Sequence, residues 1–256
     1  MKTILLATLT AVALLPAMSA PAQTNPPYAA QKLEWSLTRQ HKLDYLLYLP
    51  PGYQADATKQ WPLMLFLHGA GERGTDVQRV GVHGPLLKVR QGTNFPFIIV
   101  APQCPEGEIW DRGQLLYLLN EMNAKLRVDR SRVYLTGLSM GGYGTWQLGL
   151  THPELFAAIA PICGGGSMID PLLVSREQGV ALRSLPVWAF HGAKDPVVPL
   201  DESERMVATL KRQGCKQVKL TVYPEADHNS WAATYDNPEF YAWLLSQQRT
   251  PAAGKP

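Results

Sequence analysis

The sequence predicts an α/β fold built on a largely parallel sheet, and three observations carry that expectation. Short, nearly continuous apolar runs recur along the chain, as strands covered on both faces require. Longer segments with helical periodicity separate them. Glycine-rich and polar clusters follow the runs directly, and in open parallel sheets the carboxyl ends of the strands carry the working surface.

The chain opens on MKTILLATLTAVALLPAMSAPA, with one cation at Lys2, an apolar run from Ile4 to Met18 and small residues ending in Ala20-Pro21-Ala22. This reads as a secretory signal, residues 1–22, removed after Ala22. Pro16 and two threonines interrupt the run, which is short for a span of about 20 residues. Residues 23–256 are expected to form one domain with small, proline-rich ends at 23–30 and 249–256. Segments 33–38 and 43–49 have the pattern of a hairpin. Segments 63–67, 97–101, 133–136, 157–162, 187–190 and 218–223 complete eight expected strands. Helices are expected at 114–126, where Leu115, Leu118, Leu119, Met122 and Leu126 share a face, and at 140–150, 202–212 and 238–247. Strand and helix alternating in this way implies right-handed crossovers.

The charges exclude some functions. Twenty-four basic and 21 acidic residues give +3, and removal of Lys2 leaves +2, too weak a bias for nucleic acid or an anionic membrane. Cys104, Cys163 and Cys215 permit one disulfide in any of three pairings, with one thiol left over. No CxxC or His-rich spacing suggests a metal. Gly164-Gly165-Gly166 lacks the neighbours of a phosphate cradle. No metal or other cofactor is therefore expected.

The chemistry lies in the segments that follow the strands. Gly137-Leu138-Ser139-Met140-Gly141 matches G-x-S-x-G between an expected strand and an expected helix. Glycines two residues before and after Ser139 remove side chains that would strike the neighbouring strand or helix. A serine hydroxyl needs a base, and the base needs a carboxylate to fix its tautomer. Asp195 and His228 follow Ser139 in that order, each just after a later expected strand. His68 and His191, each at a strand exit before glycine, read as turn-shaping. His83 and His152 sit in loop or helix-end contexts. Asp201 reads as a helix cap held in reserve, Asp170 as a loop residue, and Asp227 as too close to His228 to reach its ring. Oxyanion donors are expected from the main chain of Met140 and of Ala70 in His68-Gly69-Ala70-Gly71. Trp110 and Trp231 are candidates for a substrate-binding wall.

Taken with LHGAGERG, GLSMGGYGTW, HGAKDPVVP and the final DH, the chain resembles the α/β-hydrolase superfamily over essentially all of residues 23–256. Within it the motifs are similar to secreted esterases and predicted peptidases related to dienelactone hydrolase and the phospholipase/carboxylesterase group. The resemblance implies an eight-stranded, mostly parallel sheet with helices on both faces, and the early hairpin supplies its antiparallel strand. It makes Ser139 the nucleophile, His228 the base and Asp195 the orienting acid of a serine carboxylesterase working through an acyl-enzyme. Its expected substrates are short-chain or aryl esters, including feruloyl or acetyl esters of plant polysaccharide. Dienelactone hydrolase has a cysteine nucleophile where this chain has Ser139, which argues against activity on dienelactone. About 24 residues separate Ile162 from Val187, too few for the large helical cap of many lipases, so an open cleft is expected, with no carbohydrate-binding module. The competing readings are a serine peptidase of prolyl-oligopeptidase type, whose relatives usually add a propeller, and an inactive hydrolase fold used as a binding module.

Overall fold

The computed structural model describes residues 32–34 and 42–249. The expected signal at 1–22 and most of the first expected strand, 33–38, lie outside the described residues. Residues 32–34 are exposed, with Lys32 paired to Glu34.

From residue 42 onward the elements run β1 (Tyr45–Tyr48), β2 (Trp61–Leu67), α1 (Gly84–Arg90), β3 (Ile98–Pro102), α2 (Arg112–Lys125), β4 (Val128–Leu138), α3 (Met140–Thr151), β5 (Ala158–Ile162), α4 (Ile169–Glu177), α5 (Gly179–Ser184), β6 (Val187–Gly192), α6 (Asp201–Arg212), β7 (Val218–Tyr223), α7 (Ser230–Asp236) and α8 (Pro238–Ser246). The described residues thus hold seven strands of the eight expected, in the order β1-β3-β2-β4-β5-β6-β7. β1 runs antiparallel to β3, with Tyr45 opposite Pro102 and Tyr48 opposite Ile99. The other pairs are all parallel.

Helices on both faces explain why the strands read as unbroken apolar runs. Successive residues of β2 point to opposite sides. Leu63, Leu65 and Leu67 join one core with Leu115 and Leu119 of α2, Trp146 of α3 and Leu210 of α6. Met64 and Phe66 join the other with Leu86 of α1, Tyr235 of α7 and Phe240 and Leu244 of α8. Each large apolar side chain so buried is worth about 1.5–3 kcal/mol.

Local signals place the longer helices. The Asp111 carboxylate accepts from the Gln114 N–H at 2.8 Å to start α2, and Asn237 accepts from the Glu239 N–H at 2.9 Å to start α8. Acidic Asp201, Glu202 and Glu204 open α6 and basic Lys211 and Arg212 close it, as the helix dipole favours. The unforeseen helices are short and lack an apolar stripe: α7 buries Ser230, Thr234 and Tyr235. Between β5 and β6 stand only α4 and α5, too little for a large helical cap in that interval. Among the described residues no helix is long and apolar enough to cross a membrane.

Candidate active site

β4 ends at Leu138 and α3 begins at Met140, leaving Ser139 alone to turn the chain from strand to helix. It adopts φ 53° and ψ −117°, a left-handed conformation that costs a residue with a side chain about 1–3 kcal/mol. Close packing explains the glycines on either side. A Cβ at Gly137 would lie 2.4 Å from the Gly141 oxygen, and one at Gly141 would lie 2.0 Å from the Leu67 oxygen. The strain is held from both sides, since the Ser139 N–H donates to Ile162 O at 3.0 Å and Ser139 O accepts from the Tyr143 N–H at 3.1 Å.

The loops after β6 and β7 bring the expected partners to this turn. His228 Nε2 lies 2.9 Å from Ser139 Oγ, and His228 Nδ1 lies 2.7 Å from Asp195 Oδ2. An ionised carboxylate only accepts, so Nδ1 carries a proton and Nε2 is free to accept from the hydroxyl. Burial alone would raise the Asp195 pKa, but the bonds from His228 and the Val198 and Val197 amides outweigh it and hold the group below the ordinary carboxylate range. Asp201, the reserve acid, is the exposed first residue of α6. Asp227 Oδ1 accepts from the Asn229 N–H at 2.9 Å within its own turn.

The expected oxyanion loop is built around His68. The Cys104 N–H donates to His68 Nε2 at 2.9 Å, so the proton sits on Nδ1 and is donated to Gly69 O at 2.6 Å. Because the peptide is trans, holding Gly69 O against the ring sends the Ala70 N–H the opposite way. The Glu72 carboxylate, buried beneath the loop, accepts from the Gly69 N–H at 2.9 Å. Gly69 itself lies against Ser139, since a Cβ there would be 3.6 Å from Ser139 Cβ. On the other side Met140 opens α3, whose first N–H groups have no partner within the helix.

A cavity of about 570 Å³ adjoins Ser139, lined among others by Ile109, Trp110, Met140, Tyr143, Gln147 and Asp170. Trp110 is otherwise buried rather than exposed, and its ring N–H donates to His68 O at 3.1 Å. Trp231 is not among the residues lining this cavity. Its ring stands edge-on to His228 at 5.3 Å and meets His83 at 5.6 Å on another side. Asp170, expected in a loop, lies in the first turn of α4. Tyr143 and Gln147 were not foreseen, although they stand four and eight residues after Ser139, the spacing of one helix face.

Cys163 Sγ, an Asp195 oxygen and a His228 nitrogen lie within 4.8 Å of one another. Binding a metal there would break the Asp195–His228 bond, and burial pushes the Cys163 thiol up to about 12, so the residues do not fit an ion. All three cysteines are buried and free.

The fold and this site define a class: the architecture is that of an α/β-hydrolase, and the chain is similar to the esterase group of that fold. A family model described as Phospholipase/Carboxylesterase matches residues 113–237. A thermostable esterase of known structure superposes with a TM-score of 0.66 at 33% identity, over 81% of this chain and 60% of its own. Poly(3-hydroxyalkanoate) depolymerase C of Paucimonas lemoignei is 30% identical over 155 residues, 54% of this chain and 35% of that protein. A protein named "Probable feruloyl esterase C" from Aspergillus terreus is 27% identical over 185 residues, 69% of this chain and 64% of its own. The chain therefore spans less than two thirds of each of these three proteins.

Proposed function

We propose that the chain is a secreted serine carboxylesterase, processed after Ala22, whose residues 23–256 act as one domain on short-chain or aryl carboxylic esters. The observation that carries this reading is the bonded series from Ser139 Oγ to His228 at 2.9 Å and from His228 to Asp195 at 2.7 Å. Ser139 Oγ adds to the ester carbonyl while its proton passes to His228 Nε2. The Met140 and Ala70 amides receive the oxyanion, and each such donor is worth about 2.7–4 kcal/mol in the transition state. His228 returns the proton to the departing alkoxide, leaving an acyl group on Ser139. Water, deprotonated by the same ring, then releases the acid and restores the serine. The cavity beside Ser139 takes one side of the ester. Its open mouth and the kinship to a feruloyl esterase favour acyl groups projecting from a plant polysaccharide.

The test is hydrolysis of p-nitrophenyl acetate by wild type and Ser139→Ala, with a drop of roughly a thousandfold or more expected in the variant. Undiminished turnover by Ser139→Ala would refute the assignment. A substrate series of acetyl to octanoyl esters, methyl ferulate, acetylated xylan and a peptide amide ranks the substrates, and faster cleavage of the amide would favour the peptidase. A fluorophosphonate that leaves Ser139 unlabelled would mark a binding module. Mass spectrometry of the exported protein should find Gln23 at its N-terminus; an intact leader would contradict processing.

A further inference from the structure

His191 ends β6 next to the loop that carries Asp195, and its side chain is fully buried. Its Nε2 lies 2.9 Å from Val198 O and 3.3 Å from Asp195 Oδ2. Both are acceptors, so Nε2 must carry a proton and point it between them. On the other side of the ring Nδ1 lies 2.8 Å from Ser203 Oγ, which is itself 3.1 Å from Gly164 O. The Ser203 hydroxyl serves either state of the imidazole. It donates to Nδ1 when the ring is neutral, and turns to Gly164 O when Nδ1 is protonated. In both states the Nε2 proton stays on Asp195 and Val198.

The carboxylate of Asp195 is therefore held at every position. Oδ1 accepts from the Val197 and Val198 amides, each at 2.9 Å. Oδ2 receives His228 Nδ1–H on one side, and His191 Nε2 stands 3.3 Å away on the other. We propose that His191 is a positioning residue for the relay: its Nε2–H fixes the direction of Asp195 Oδ2 and takes part of that oxygen's negative charge away from His228. This rests on the Ser139–His228–Asp195 reading and adds a residue that never touches substrate. The titratable groups around it are Asp195 on its own loop and, beyond Asp195, His228 after β7 and the Cys163 thiol after β5. α6 presents the Ser203 hydroxyl, while Glu202 is turned to Arg205.

The experiment compares wild type, His191→Met and His191→Gln with p-nitrophenyl acetate. Wild type active and Ser139→Ala inactive in the same assay secures the underlying reading independently of the outcome for His191. In His191→Met the donor is lost. We expect kcat to fall roughly tenfold, in line with one hydrogen bond to a charged group, with KM changed less than about twofold. With less competition for Oδ2, the imidazolium of His228 is better stabilised, so the acid limb of the kcat/KM profile should move to higher pH. Glutamine restores an N–H donor at nearly the same reach and should recover kcat to within about threefold. Wild-type kcat and acid limb in a folded His191→Met, or equal loss in both variants without rescue by glutamine, would overturn the proposal. Should His191→Met not fold, nitrogen NMR of wild type with labelled histidine decides. A proton resident on His191 Nε2 across the active pH range supports the role, and an unprotonated Nε2 sinks it.

Discussion

The chain uses the dipeptide His-Gly at the carboxyl ends of two strands, His68-Gly69 after β2 and His191-Gly192 at the end of β6, and the two regions do different work. Both imidazoles are wholly buried, and both hold a loop that faces Ser139 or His228. The hydrogen bonds of the His68 ring go to main chain alone, the Cys104 N–H and Gly69 O. It fixes the direction of peptide dipoles, and the carboxylate beside it, that of Glu72, stands 4.0 Å from Nδ1 without a hydrogen bond to it. The ring of His191 reaches the ionised Asp195 as well as Val198 O and the Ser203 hydroxyl. The same residue pair thus builds a static donor surface at one strand exit and a support for a charge at the other. What separates the two is the partner the loop supplies, not the motif.

The glycines sharpen the contrast, and they carry the largest expected effect. A Cβ at Gly192 would lie 2.1 Å from Asp227 O and 2.5 Å from Ala226 O. These are main-chain atoms of the loop that delivers His228 and cannot yield without moving it. A Cβ at Gly69 would meet Leu138 Cδ1 at 2.8 Å and Glu72 Oε2 at 3.2 Å, side-chain atoms that can turn aside. Gly192→Ala should cost about 3 kcal/mol of stability and about a hundredfold in kcat through displacement of His228, the proposed base. Gly69→Ala should cost about 1 kcal/mol and under about tenfold in kcat. Urea midpoints and kcat for the pair check this. Equal losses in the two variants would mean that the loops resist equally, and the distinction drawn from their contacts would fail.

The sequence was informative about the same two places to different depths. The strands of the sheet from β2 onward read as apolar runs because helices cover both faces. Ser139, Asp195 and His228 could be expected to meet, as they do, because topology delivers strand exits to one edge. The reach of His191 to Asp195 was not legible: His-Gly before a loop has the same appearance whether the ring meets a carbonyl or a carboxylate, and only the path of residues 193–198 decides. Trp110 stands in a polar loop, PQCPEGEIWD, whose composition gives no sign of burial. It is buried because its ring N–H finds His68 O and its ring lies 4.8 Å from that of His68. The short helices α1, α4, α5 and α7 carry too few core positions to give a period. For α7 the buried set is largely hydroxylated.

An acid titration separates the two histidines next. Burial pushes His68 down to about 4 from its ordinary 6.5, and Nε2, occupied by the Cys104 N–H, has no room for a second proton. The unfolded chain would bind that proton near pH 6.5. Between about 6.5 and 4 the unfolded state therefore holds more protons, and stability is full above this window and lost as pH falls through it. About 2 kcal/mol should be gone by pH 4.5. Asp195, held below the ordinary carboxylate range, adds a loss of the same sign only at still lower pH. His68→Leu should be less stable than wild type at pH 7, yet lose less on acidification. Urea midpoints at pH 7 and 4.5 for both proteins test this, and parallel losses would show that the acid sensitivity lies elsewhere.

The smallest effect is expected at Trp110, where the β2 exit meets the cavity wall. Trp110→Phe keeps most of the aromatic area against His68 and the cavity but removes the ring N–H that donates to His68 O at 3.1 Å. The loss of one neutral hydrogen bond in a buried place is worth about 1 kcal/mol. Because His68 acts only on main chain, the loosened carbonyl should alter kcat by less than about threefold, while KM for aryl esters registers the changed wall. A loss in kcat as large as that of Gly192→Ala would place the indole N–H among the groups that set the reacting geometry. The β2 exit would then be no more static than the β6 exit, and the division of labour between the two histidines would have to be redrawn around the tryptophan.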